Sequence, residues 1–60
     1  MTNIIEIVAA LQKEGSKIDV AISNGCVFIC YNGNFYDITL ASLSDQLRLI
    51  AQLLNNEFFG

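Results

Sequence analysis

Apolar positions along this chain follow two periods, and the switches between them mark out five elements. Ile4, Ile7, Val8 and Leu11 recur at the spacing of one helical face, and Ile5 widens the stripe. Gln12, Lys13 and Glu14 lie on the solvent side. Asn3 is placed to cap this helix, with Glu6 three residues on in the capping-box position. The pattern predicts a first helix from Ile4 to Glu14, stopped by Gly15 in the left-handed conformation.

From Lys17 the period becomes two. Ile18, Val20 and Ile22 share one side of an extended strand; Lys17, Asp19, Ala21 and Ser23 share the other. The next run, Cys26 to Tyr31, has nothing to mark a solvent face, so its sides must follow from pairing. Two Asn-Gly pairs, Asn24-Gly25 and Asn32-Gly33, separate the β-branched and aromatic runs. Such a pair suits a type I′ hairpin turn, which needs positive φ at both central positions. Two-residue turns set Ser23 opposite Cys26 and Tyr31 opposite Asn34. Ile18, Val20, Ile22, Val27, Ile29, Tyr31, Tyr36, Ile38 and Leu40 then share the core face. A three-residue second loop taking in Asn34 is the alternative, and it would shift the third strand.

A last helix should begin near Ser42, with Asp45 three residues on, and end near Asn55 or Asn56. Leu43, Leu47, Ile50 and Leu54, with Ala51 beside them, define its expected buried stripe; Leu49 points away and Leu53 lies at the margin. Leu49 and Leu53, with Phe58 or Phe59, form a second apolar strip, either packing on the first helix or available as a dimer seam. Glu57 to Gly60 reads as a short tail, from which one phenylalanine can fold back on the core. The predicted fold is α+β: a three-stranded antiparallel meander with two helices (αβββα) on one face, a single domain over 1–60.

Composition sharpens this picture. Of 60 residues, 53% are hydrophobic, and the mean hydropathy is +0.48. A domain this small buries only about 60% of its unfolded surface, so part of its apolar surface is expected to meet another protein or a second copy. The net charge is −3, and the three basic residues Lys13, Lys17 and Arg48 are scattered. That pattern argues against direct nucleic-acid binding, which rests on clustered Lys and Arg. No apolar run approaches the ~20 residues of a membrane span. The start of the chain lacks the pattern of a secretory leader. Cys26 and Cys30 sit four apart on one strand, ~13 Å at ~3.3 Å per residue, too far for a disulfide. These features together predict a cytoplasmic protein.

Candidate chemistry is sparse. There is no histidine, no evident base beside either thiol, no phosphate loop and no convincing metal-ligand set. No enzymatic activity, cofactor or metal is expected. The informative surface is the sheet face turned away from the core. It should display Asp19, Ala21 and Ser23; Cys26, Phe28 and Cys30; Phe35, Asp37 and Thr39. An apolar centre edged by carboxylates has the anatomy of a protein interface. Asp19, Phe28, Cys30, Phe35 and Asp37 are therefore the candidate partner-binding residues, facing a protein partner or, as a homodimer, a second copy.

The segments Asn3-Ile4-Ile5-Glu6-Ile7, Lys17-Ile18-Asp19-Val20, Tyr31 to Ile38 (YNGNFYDI) and Ser44-Asp45-Gln46-Leu47, in this order and with this acidic balance, resemble the small phage-encoded anti-CRISPR proteins. The resemblance is one of pattern over most of the chain. It implies a compact, non-enzymatic inhibitor that occupies a surface of a CRISPR effector in the host cytosol. With only six acidic residues, the chain would occlude its target through the apolar sheet face.

Overall fold

The computed structural model describes residues 3–60. Met1 and Thr2, part of the segment read above for a leader, lie outside them. The order is α1 (Ile4–Lys13), β1 (Asp19–Ser23), β2 (Cys26–Tyr31), β3 (Asn34–Asp37) and α2 (Leu43–Phe59). The strands form one antiparallel sheet in the order β1-β2-β3. This is the expected αβββα meander.

Local chemistry sets the boundaries. The Glu6 N–H donates to Asn3 Oδ1 at 3.0 Å, and the Asp45 N–H donates to Ser42 Oγ at 3.1 Å, so both helices start on their expected caps. Both Asn-Gly turns have positive φ at each central residue: 51° and 77° at Asn24 and Gly25, 52° and 79° at Asn32 and Gly33. Both loops therefore hold two residues. Tyr31 pairs with Asn34, which excludes the three-residue alternative.

The core joins Ile4 and Val8 of α1, Ile29 of β2 with Ile18 just before β1 and Ile38 just after β3, and Ile50 and Leu53 of α2. Val20, Val27, Tyr31 and Tyr36, on the same sheet face, pack partly against it. Both helices thus cover the face that alternation assigned to the core. Three expected core positions depart from it. Ile5 is exposed on α1. Ile22, beside the first turn, has 62% of its surface in solvent because it overhangs the end of the sheet. Leu40 is 98% exposed because the strand stops before it. The Ala41 N–H donates to Ile38 O at 3.1 Å, so residues 38–41 form a turn and the alternation lapses.

The larger correction concerns α2. Its inner residues are Ile50 and Leu53, with Leu49 and Leu54 partly buried, whereas Leu43, Leu47 and Ala51 are exposed. Two polar side chains on the Ile50–Leu53 face explain the rotation. Near the start of the helix, Gln46 Nε2 donates to the carbonyls of Ile38 and Ala41 at 3.3 and 3.2 Å. Near its end, Glu57 accepts from Ser16 Oγ at 2.7 Å and from the Lys17 N–H at 2.6 Å. Ser16 Oγ in turn accepts from the Ile18 N–H at 3.1 Å. Gln46, Ile50, Leu53 and Glu57 follow the 4-3-4 spacing of one helical face. Satisfying loop backbone groups at both ends rolls that face inward. The helix also runs through the expected tail to Phe59, and Phe58 and Phe59 stay exposed instead of folding back.

Glu57 is thus a structural clasp. Removing it strands Ser16, which is buried, and releases the loop between α1 and β1. Glu57→Ala should lower unfolding free energy by about 1–3 kcal/mol, read as a reduced urea midpoint with an unchanged m-value. Glu14→Ala, exposed and outside the clasp, should stay within about 0.5 kcal/mol.

Candidate functional site

The outer face of the sheet is built in three rungs. Asp19, Cys30 and Phe35 stand side by side in the first, and Ala21, Phe28 and Asp37 in the second. Ser23 and Cys26 begin the third. Thr39, just beyond β3, completes it, since the Val27 N–H donates to Thr39 Oγ1 at 2.9 Å. The I′ turns fix this arrangement: a slip of one residue would turn every side chain over. All five candidate residues stand on this one face. Phe28 and Cys30 are half-buried between neighbouring strands, while Asp19, Phe35 and Asp37 are exposed. The ring of Phe35 is the more open of the two, with 73% of the residue in solvent.

Neither carboxylate is a loose surface charge. Asp19 Oδ1 accepts from Gln12 Nε2 at 3.1 Å and from the Val20 N–H at 2.8 Å. Gln12 Nε2 also donates to Ile18 O at 3.0 Å, so this group ties β1 to α1. Asp37 Oδ1 accepts from the Thr39 hydroxyl at 2.6 Å and from the Thr39 N–H at 2.9 Å. Gln12 and Thr39 are the supporting residues that sequence reasoning missed. Each lies outside the strand it serves, and the one available signal is Thr39 two residues after an aspartate at a strand end, an Asx-turn pattern.

These bonds shape the electrostatics. The Thr39 hydroxyl, followed by its backbone N–H, holds the Asp37 carboxyl below its ordinary value of 3.8. Asp37 is therefore charged throughout the physiological range and a weak proton acceptor. Cys26, Asp37, Thr39, Leu40 and Ala41 line a shallow depression of about 470 Å³ at this end of the face. The thiol there stands near a carboxylate poorly suited to deprotonating it. The arrangement suits recognition: two fixed negative charges flank an apolar centre, and ordering them costs a partner little.

No family model, curated protein or solved structure matches this chain. Among the described residues, no helix is long and apolar enough to cross a membrane.

The Asp37–Thr39 link has a measurable signature. Thr39→Val removes the hydroxyl donor, so the Asp37 carboxyl should titrate closer to 3.8, followed by the pH dependence of its 13C shift. The sign is that of a depressed carboxylate. In the parent, the stability it contributes is present above the unfolded-state value. It is lost as pH falls from there through the lower folded-state value. Thr39→Val should lose less stability over that acid window.

Proposed function

We propose that this chain is a non-enzymatic protein-binding module that occludes a surface of another protein with the outer face of its sheet. The observation that carries this reading is Phe28. It stands at the centre of the face, off the core, between Ala21 and a charged Asp37, with the exposed Phe35 one rung away. Aromatic side chains at the centre of a contact supply most of its binding energy, and a polar rim excludes water around them. Asp19 and Asp37 make the rim negative, and the three rungs hold no basic residue. A partner with a basic patch is steered toward such a face. A second copy would bring carboxylates against carboxylates, so the face favours a different protein over a homodimer closing on itself.

The narrower proposal is a phage or mobile-element inhibitor acting in the host cytosol on a CRISPR effector. Its support is the sequence resemblance together with a single small αβββα body. Effectors that hold nucleic acid present basic grooves, the chemistry this negative rim would meet.

Purified chain added to a panel of CRISPR effectors should bind at least one and block its cleavage of target DNA. In that complex Phe28→Ala should weaken affinity by about 30-fold, the effect of a 2 kcal/mol anchor, while the circular dichroism spectrum stays unchanged. Failure to inhibit any effector would remove the CRISPR reading. Inhibition untouched by Phe28→Ala and Phe35→Ala together would remove the sheet face as the contact surface.

A further inference from the structure

The rotation of α2 leaves an apolar stripe unpartnered. On a helix turning about 100° per residue, its apolar residues span an arc of roughly 200°. The core takes one half, centred on Ile50 and Leu53. The other half carries Leu43, Leu47, Ala51, Leu54 and Phe58. Exposures are 45% at Leu43, 40% at Leu47 and 55% at Phe58. Ala51 is also exposed, and Leu54 is half-buried.

We propose that this stripe is a homodimer seam, closed by a second copy of the chain with its α2 running antiparallel. Three observations choose this occupant. The first is symmetry. Leu43 and Phe58 are equidistant from the point between Ile50 and Ala51, and so are Leu47 and Leu54. A two-fold axis there sets Leu43 against the copy's Phe58 and Leu47 against the copy's Leu54. The small Ala51 falls at the crossing, where two helices come closest. An isologous interface requires such self-complementarity.

The second is charge. The chain carries −3 overall, which opposes self-association. On α2, however, Asp45 is paired with Arg48 at 3.8 Å, and Glu57 is turned to the loop between α1 and β1. Ser44, Gln52, Asn55 and Asn56 are uncharged. Two copies therefore meet along this stripe without net repulsion, unlike on the sheet face.

The third is area. At on the order of 150–200 Å² for a fully exposed large apolar residue, Leu43, Leu47 and Phe58 present roughly 250 Å² per copy. With Ala51, Leu54 and the polar flanks added from both copies, the buried total reaches about 800–1,000 Å², the size of a weak, transient interface. A dimer of micromolar rather than nanomolar affinity is expected. The seam lies on α2 and leaves the sheet face open, so the two surfaces can be tested separately.

The test is the mass of the full chain in solution, by sedimentation equilibrium up to about 200 µM, a range that spans micromolar affinity. The parent should shift toward twice its 6.6 kDa as concentration rises. Leu47→Glu should stay monomeric, and Phe28→Asp should dimerise like the parent. Covalent trapping covers the case in which Leu47→Glu unfolds. With Cys26 and Cys30 replaced by serine, mild oxidation of Ala51→Cys should give a disulfide dimer, since the crossing brings these positions together. Ser44→Cys, off the axis, should give none. A parent that stays monomeric throughout would overturn the proposal. A dimer abolished by Phe28→Asp but not by Leu47→Glu would move the seam to the sheet.

Discussion

Positive φ at two pairs of residues holds this small domain to its register. An asparagine and a glycine adopt the left-handed conformation at each hairpin turn, at 51° and 77° and again at 52° and 79°. That geometry matches the right-handed twist of the flanking strands and permits loops of two residues only. Once both loops have two residues, Ile29 falls on the core side of the central strand and Phe28 on the other. The buried cluster and the outward rungs follow from this assignment.

A second constraint is polar and acts on the closing helix. Burial alone does not select which part of its wide apolar arc faces inward. Gln46 and Glu57 do so by bonding loop backbone groups at either end of the core. No buried side-chain nitrogen or oxygen among the described residues is left without a hydrogen bond. In so small a core one stranded polar group is a large fraction of the total stability. The leucines left outside follow from that requirement.

This explains which features were legible in the sequence. Caps, turns and alternation are local signals, and they located both helix starts, both hairpins and the outward position of Asp19, Phe28, Cys30, Phe35 and Asp37. Leu40 was misplaced because alternation carries no marker for where a strand stops, and the turn over residues 38–41 ends it early. The facing of α2 was misplaced because the stripe of Leu43, Leu47, Ile50 and Leu54 is as periodic as the one actually buried. The deciding bonds run from Glu57 to residues some forty positions away and from Gln46 into the turn before the helix, and periodicity registers neither. Gln12 and Thr39 escaped notice for a different reason: both are close in sequence to the aspartates they support, but one acts from another element and the other from past a strand end, where alternation assigns no partner.

Two apolar surfaces remain after the core is filled, one on the sheet and one on α2. The proposed division of labour gives the first, ringed by fixed negative charge, to a foreign partner, and the second, locally neutral, to a second copy. Both depend on the same placement of the central strand. The most direct test is a set of nuclear Overhauser contacts from Phe28 and Ile29 in solution. The Phe28 ring should contact Ala21 and the side chain of Asp37 and show nothing to methyl groups of either helix, while the Ile29 methyls contact both helices. Phe28 contacts to Val8 or Ile50, with Ile29 facing solvent, would contradict the register on which everything else rests.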